Sequence, residues 1–193
     1  TEVCRLFEAL GARVFYADAE AKRLMQDDPG ARAEIVAAFG PASYDAGGRL
    51  DRTYLAQRVF GSPDEVARIN AIVHPRVAAA FEAAREEAAR EGAPLLVKEA
   101  AILFESGADR GLDAVAVVDA PVEARVRRVG TRDGSTPEQV RARMAHQLAP
   151  EELRRRADFV IENHGALADL RARVEAVFRE MTGSSNDDVS RSL

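Results

Sequence analysis

The chain has 193 residues, of which 47% are hydrophobic and 31% charged, so it can bury one full core and a smaller subdomain. Its formal net charge of −5 argues against broad binding to nucleic acid or membranes, although a local Arg and Lys cluster would still serve an anionic small substrate. The single cysteine excludes an internal disulfide, and no apolar stretch resembles a signal peptide or a membrane span, so we expect a cytoplasmic protein.

The first stretch, TEVCRLFEALG, predicts a helix. Val3, Leu6, Phe7 and Leu10 follow the spacing of one buried helical face, and Gly11 stands where a glycine often ends a helix. The run Arg13–Tyr16 that follows is typical of a short strand. A helix that leads into a strand is half of a βαβ unit, and the pattern therefore calls for a strand and a turn before the helix.

Residues 20–73 are predicted to be entirely helical, and they lie between two predicted strands as an inserted subdomain. Asp51 and Ser62 are suited to cap two of its helices, and His74-Pro75 is expected to interrupt the chain. The helices predicted for this part of the chain are 19–27, 31–39, 52–60 and 62–73, with a longer one at 76–91.

Strands and helices alternate along the rest of the chain, which indicates an α/β sheet. The β-branched run at 114–118 is typical of a parallel strand buried on both faces. The tail at 182–193 is rich in Ser, Asn and Asp and is predicted to be disordered. Further strands are predicted at 95–97 and 159–161, and helices at 122–131, 137–148 and 166–181.

Three polar side chains follow predicted strands, at the edge of the sheet where open α/β folds bind ligands. Asp18 has two interpretations, a helix N-cap or a carboxylate that faces a ligand. Glu99 is either a solvated strand end or a carboxylate that holds Mg²⁺ through water. Asn163 either reads a base edge or belongs to an ordinary Asn-His-Gly turn.

Arginines recur on one face of the helix predicted at 122–131. Arg125, Arg128 and Arg132 are spaced at i, i+3 and i+7, and the Gly-Ser loop after them leads to a second helix capped at Thr136. This pattern fits a solvated face or a mobile lid over a polyphosphate, since the arginine fork matches phosphate oxygens.

In this order, several stretches resemble the dephospho-CoA kinase family, over about residues 1–181. The stretches are TEVCRLFEALG, VFYAD, INAIVHP, VKEAAILFESG, VVDAPVEARVRR, RDGSTPEQVRARMAHQ and DFVIENHG. The resemblance implies a P-loop NTPase-like parallel sheet flanked by helices, with a core at 1–19 and 74–181, a helical substrate subdomain at 20–73 and a helical lid at about 122–150. It also implies ATP-dependent phosphorylation of the ribose 3′-hydroxyl of dephospho-CoA, the last step of coenzyme A synthesis.

Members of this family begin with a strand and a G-x-x-x-x-G-K-[ST] loop, so the resemblance places Thr1 at the hydroxyl position that binds Mg²⁺. The glycines and the lysine of that loop precede Thr1 in the family pattern. Because they hold the β- and γ-phosphates, the printed residues alone are expected to be inactive.

The resemblance also implies roles at individual positions. Asp18 matches the second Asp of a D-x-D pattern and would act as the base, while Tyr16 replaces the first Asp. Glu99 would lie behind Mg²⁺, and Ala101 replaces the proline of the family's P-L-L run. The remaining residues implied are Arg128 at the transferred phosphate, Arg132 in the lid, Asn163 near adenine, and Lys22, Arg23, His74, Phe104 and Glu105 at the acceptor.

Three alternatives stay open. A different P-loop kinase, acting on a nucleoside or nucleotide, would share the core and the lid. A paralogue without the loop would bind nucleotide or CoA without catalysis. A nucleic-acid binder that uses the arginines at 125–143 is disfavoured by the negative net charge and the lack of interleaved aromatic residues.

Overall fold

The computed structural model describes residues 1–59, 61–145 and 147–183. The described chain divides into two units, one formed by Thr1–Val14 with the chain from Ala101 onward, and the other by Phe15–Ala100. None of the described helices is both long enough and apolar enough to cross a membrane. In chain order the elements are α1 (Glu2–Ala9), β1 (Arg13–Tyr16), α2 (Ala17–Asp27), α3 (Pro29–Phe39), a 3₁₀ turn (Pro41–Ser43), α4 (Arg52–Val59), α5 (Pro63–Arg90), β2 (Leu96–Glu99), β3 (Ala116–Asp119), α6 (Val122–Asp133), α7 (Pro137–Met144), α8 (Pro150–Arg156), β4 (Phe159–Glu162) and α9 (Leu167–Thr182).

In the first unit, β3 and β4 pair in parallel, as the alternation of strands and helices predicts. Ala116 is the register partner of Phe159, and Asp119 that of Glu162. The expectation that β3 is buried on both faces is wrong, because Val118 keeps 42% of its surface exposed. Among the described residues β3 has one strand neighbour, β4, which pairs with one edge of the strand and does not cover the face on which Val118 lies.

The helix predicted from TEVCRLFEALG is present and packs through the predicted face. Val3, Leu6 and Phe7 of α1 are buried, and the Phe7 ring lies 6.4 Å from that of Phe178 on α9. Gly11 follows the helix with a φ of 93°, a backbone conformation that favours glycine. This packing fixes α1 against α9 within the first unit.

The second unit is built from α2 to α5 around an apolar core. Among the described residues of 20–73, the prediction of a helical stretch is confirmed apart from one isolated β-bridge between Tyr44 and Leu50. The Tyr44 hydroxyl donates a hydrogen bond of 2.6 Å to the Met25 carbonyl. The core residues of this unit are Ala31, Ile35, Phe39, Leu55 and Ile72. The predicted subdomain boundary at residue 73 stays a prediction.

The predicted break at His74-Pro75 is wrong, because α5 runs without interruption from Pro63 to Arg90 with Pro75 inside it. A proline removes one hydrogen bond from a helix and crowds the preceding turn. Here the Arg76 guanidinium donates a hydrogen bond of 2.7 Å to the Ile72 carbonyl in that turn. The side chain thus adds a hydrogen bond in the turn before proline, whereas the carbonyl that loses its main-chain donor to Pro75 is that of Ala71.

Several helix ends also differ from the predictions. α2 begins at Ala17, α3 begins at Pro29 behind an Asp28 cap, and α7 ends at Met144. The helix α8 was not predicted, because PEELRRR has no apolar stripe to mark it. Of the predicted disordered tail, Thr182 belongs to α9, and the residues after Gly183 lie outside the described chain.

Candidate functional site

Asp18 lies at the exit of β1, in the first turn of α2. The N-cap residue of α2 is Tyr16, so the interpretation of Asp18 as the cap is wrong; the helix starts directly from the strand and leaves no turn for it. The Asp18 side chain is exposed to solvent. Asp18 is therefore an accessible side chain at the end of a strand.

Lys22 and Arg23 follow on the next turn of α2, and both are exposed. The Arg23 guanidinium donates hydrogen bonds of 2.9 and 2.6 Å to the Glu20 carboxylate. These hydrogen bonds lower the pKa of Glu20 below its usual value. Arg23 is therefore held by its own helix, while Lys22 projects into solvent.

Glu99 is the last residue of β2 and is half-buried. The neighbouring Lys98, which sequence reasoning did not select, places its ammonium nitrogen 4.6 Å from the centre of the Phe81 ring. Burial lowers the pKa of Lys98 below its usual value. Because successive side chains of a strand point to opposite faces, Lys98 and Glu99 serve different faces of β2.

His74 is exposed on α5, whereas the adjacent Arg76 carries the electrostatic interactions of that turn. The Arg76 guanidinium lies 3.2 Å from the Asp28 carboxylate and 2.9 Å from that of Glu34. These contacts join α5 to the start of α3, and they depend on pairs more than forty residues apart in the chain, which no local pattern marks.

In the first unit the structure brings together two of the predicted site residues, Arg128 and Asn163. The Arg128 guanidinium donates a hydrogen bond of 3.2 Å to the Asn163 carbonyl. The main-chain amide of Asn163 in turn donates a hydrogen bond of 2.7 Å to the main-chain carbonyl of Asp119. Both main-chain polar groups of Asn163 are therefore fixed, directly after β4 and beside the end of β3.

A group of charged side chains surrounds these strand ends, and sequence reasoning missed most of it. Arg154 of α8 forms an ion pair with Asp119 and lies 3.7 Å from Glu162. Arg173 of α9 lies 3.5 Å from Glu162, and the imidazole of His164 lies 3.6 Å from Asp119. Asp119 was visible as an acid at a strand end, but nothing in PEELRRR marks which arginine faces the sheet.

Arg132 lies at the end of α6 and is paired with its neighbour Asp133 at 2.6 Å. Arg141 of α7 contacts Glu123 of α6 at 3.0 Å, which links the two helices of the predicted lid. The predicted cap at Thr136 is confirmed as a capping box closed by Gln139. These contacts leave α6 and α7 joined through exposed ion pairs.

The third arginine of this helix, Arg125, differs from the other two. Its Nε is buried and has no hydrogen-bond partner among the residues that the structure describes. A buried donor without a partner is costly, which sets Arg125 apart from Arg128 and Arg132.

Phe104 and Glu105 contact residues that follow α7 in the chain. The Glu105 carboxylate accepts a hydrogen bond of 2.6 Å from the Leu148 amide. The Arg156 guanidinium lies 4.3 Å from the centre of the buried Phe104 ring. Both contacts lie within the first unit, and an acceptor-binding role for either residue stays a proposal.

Thr1 caps α1, and its hydroxyl accepts a hydrogen bond of 3.4 Å from the Cys4 amide. Across the described part of the chain, no three His, Cys, Asp or Glu side chains converge as a metal cluster. Mg²⁺ is usually held by one or two protein oxygens together with phosphates and water, and the Thr1 hydroxyl and the Glu99 carboxylate are each, taken singly, oxygen donors of the kind that this ion prefers.

Solved structures define the class of protein. A crystal structure of TT1252 from Thermus thermophilus matches with a TM-score of 0.77 and 39% identity, covering 92% of this chain and 89% of that one. A dephospho-CoA kinase from Campylobacter jejuni matches with a TM-score of 0.67 and 26% identity, covering 94% and 90%. With the parallel β3–β4 pair and its flanking helices, these likenesses define an α/β protein of the P-loop kinase fold.

The family follows from sequence comparison. The family model described as CoaE, dephospho-CoA kinase, matches residues 1–169. A dephospho-CoA kinase from Salinibacter ruber is 55% identical over 95% of this chain and 92% of its own length, and one from Deinococcus radiodurans is 45% identical over 93% and 85%. The chain belongs to the dephospho-CoA kinase family, and its activity is that of a phosphotransferase.

Proposed function

We propose that this chain transfers the γ-phosphate of ATP to the ribose 3′-hydroxyl of dephospho-CoA, giving coenzyme A, in the cytoplasm. The family match carries the proposal, because residues 1–169 include Asp18 and Glu99 in the second unit as well as Arg128 and Asn163 in the first. A different P-loop kinase would share these residues and differ in its acceptor, so the acceptor is what the experiment must test.

Asp18 is the residue we assign to the acceptor hydroxyl. Its exposed carboxylate accepts the proton of the 3′-hydroxyl as that oxygen attacks the γ-phosphorus, and the bond from the γ-phosphorus to the bridging oxygen of ADP breaks. Tyr16, Lys22 and Arg23 lie within two turns of Asp18 in sequence and are assigned to bind the acceptor, with the exposed Lys22 suited to its phosphates. His74, Phe104 and Glu105 are proposed as further acceptor contacts.

Arg128 and Arg132 are assigned to the transferred phosphoryl group, on which negative charge is spread during transfer. Arginine stabilises such charge through several N–H donors at once. Arg128 uses Nη1 for the Asn163 carbonyl, and Asn163 is assigned to the adenine. Arg132 would exchange Asp133 for the phosphate as the lid closes and excludes water.

Thr1 and Glu99 are the residues that would hold Mg²⁺, Glu99 through water. When it is bound with ATP, the ion neutralises charge on the β- and γ-phosphate oxygens. The chain's own contribution is to supply a hydroxyl and a carboxylate, both hard oxygen donors.

The test is ATP-dependent conversion of dephospho-CoA to coenzyme A, with protein expressed from its gene together with any codons that precede Thr1. A panel of nucleosides and nucleotides serves as competing acceptors. We expect dephospho-CoA to have the highest kcat/KM. Preference for another acceptor would support the different P-loop kinase, and nucleotide binding without transfer to any acceptor would support the non-catalytic paralogue.

A further inference from the structure

The ends of β3 and β4 carry a group of five charged side chains, here called the strand-end cluster: Asp119, Arg154, Glu162, His164 and Arg173. Asp119 and Glu162 are register partners, so their side chains lie on the same face of the strand pair. Like charges directly opposite each other on neighbouring strands are destabilising. The strand pair therefore needs a cation at this place.

Arg154 supplies that cation from α8. One guanidinium nitrogen is paired with Asp119, and the other lies 3.7 Å from Glu162. Glu162 has a second guanidinium, that of Arg173, at 3.5 Å. Within the described chain, the guanidinium that Asp119 contacts is that of Arg154. Without Arg154, the Asp119 carboxylate would face Glu162, and its remaining side-chain contact would be the imidazole of His164.

The main chain of Asn163 connects the end of β3 to Arg128 through two hydrogen bonds. The Asp119 carbonyl accepts the hydrogen bond of the Asn163 amide at 2.7 Å. The Asn163 carbonyl accepts that of Arg128 at 3.2 Å. A displacement of Asp119 from Glu162 would therefore move Asn163 and the guanidinium of Arg128 with it.

We propose that Arg154 is a positioning residue for the nucleotide: it holds the facing carboxylates of Asp119 and Glu162 together and so fixes Asn163 and Arg128. The proposal rests on the proposed function, which assigns adenine to Asn163 and the transferred phosphate to Arg128. Arg154 acts through these residues rather than by touching ATP.

The test compares Arg154→Met with Arg155→Met. Arg155 is the next residue on α8, and its exposed guanidinium pairs with Glu152 of the same helix, so it is a matched control. We expect Arg154→Met to raise the KM for ATP about fivefold, as the loss of a half-exposed ion pair allows, while the KM for dephospho-CoA changes by less than about twofold. Arg155→Met should leave both KM values as in the wild type.

A rescue experiment separates positioning from a general attraction between Arg154 and ATP. The double variant Asp119→Asn with Arg154→Met removes both charges of the pair, and with them the repulsion from Glu162. We expect it to recover most of the wild-type KM for ATP, and Arg154→Lys, which keeps the charge without the fork, to fall between wild type and Arg154→Met. Melting temperatures of all variants establish that they are folded.

The outcomes separate a failure of the proposed function from a failure of the positioning role of Arg154. A wild-type protein that does not phosphorylate dephospho-CoA contradicts the proposed function. With an active wild type, an Arg154→Met variant that matches Arg155→Met contradicts the positioning role. A rise in both KM values that Asp119→Asn does not reverse would assign Arg154 to general stability, and would also overturn the proposal.

Discussion

The centre of the second unit and the strand ends of the first differ in how they place apolar and charged groups. In the second unit the centre is closed and apolar: Ile35 is 0% exposed, and the buried Ser43 hydroxyl donates to the Gly40 carbonyl at 2.7 Å. In the first unit the strand ends carry charged side chains that solvent reaches, with Asp119 21% and Arg154 41% exposed. Packing thus stabilises the unit that carries Asp18, whereas the strand ends of the first unit keep their charged side chains accessible to solvent.

Asp18→Asn tests whether the second unit also provides a catalytic residue, and of the variants considered it has the largest expected effect. Loss of the proton acceptor should lower kcat about a thousandfold, within the range usual for general bases, and change the affinity for ATP by less than about threefold. The measurement is steady-state kinetics together with equilibrium binding of ATP. Asp27→Asn, at the other end of α2, is the control, and an unchanged kcat for Asp18→Asn would remove Asp18 from the mechanism.

Ile35→Ala tests the claim that packing stabilises the second unit. The side chain is fully buried in the core of α3 and its neighbours, so we expect the free energy of unfolding to fall by about 3 kcal/mol in urea titrations. Val36→Ala, one position along α3 and 36% exposed, should cost less than about 1 kcal/mol. Equal losses in the two variants would contradict the comparison of the units.

Arg128→Met tests the accessible charges of the first unit. Removing the guanidinium takes a donor from the transferred phosphate and releases the Asn163 carbonyl, so kcat/KM for ATP should fall about thirtyfold. Arg127→Met, the adjacent exposed arginine of α6, is the matched control. If both variants lose the same activity, the general charge of α6 matters and the position of Arg128 does not.

Much of the fold could be predicted because its signals are local. Asp51 caps α4 through a hydrogen bond of 2.9 Å from the Tyr54 amide, and such a cap needs only three residues of sequence. The position of Asp18 after β1 was likewise visible from a short strand pattern. The order of the motifs was enough to predict the family, which the comparisons confirm, whereas the roles that the resemblance implies for single residues stay predictions.

The features that were missed depend on residues far apart in the chain. Pro75 stays inside α5, although the local rule for proline predicted a break, and the adjacent Arg76 pairs with Asp28 and Glu34, which lie 48 and 42 residues away in the chain. The pairing of Arg154 with Asp119 spans 35 residues and exists only once α8 has packed beside β3. Charged side chains carry no periodic signal of their partners, which is why the strand ends were harder to predict than the core.

The smallest effect on stability is expected for Asp28, the charged residue that caps α3 in the second unit. Its carboxylate accepts a hydrogen bond of 2.6 Å from the Ala31 amide and lies 3.2 Å from the Arg76 guanidinium. The Ala31 hydrogen bond is the main cause that holds the pKa of Asp28 below its ordinary value of 3.8. A carboxylate whose pKa is lowered by folding stabilises the fold above its unfolded pKa, and this contribution is lost as the pH falls through the folded pKa.

Asp28→Asn should therefore lower Tm by about 2 °C near neutral pH, and the difference from wild type should shrink as the pH is lowered below about 4. Thermal unfolding from pH 7 to pH 3 measures this difference. Arg76→Met keeps the Ala31 hydrogen bond, so it should keep most of the pH dependence that Asp28→Asn removes. If Arg76→Met removes as much of the pH dependence as Asp28→Asn does, the ion pair between Arg76 and Asp28 is the main stabilising contact. The start of α3 would then depend on paired charges in the same way as the strand ends of the first unit.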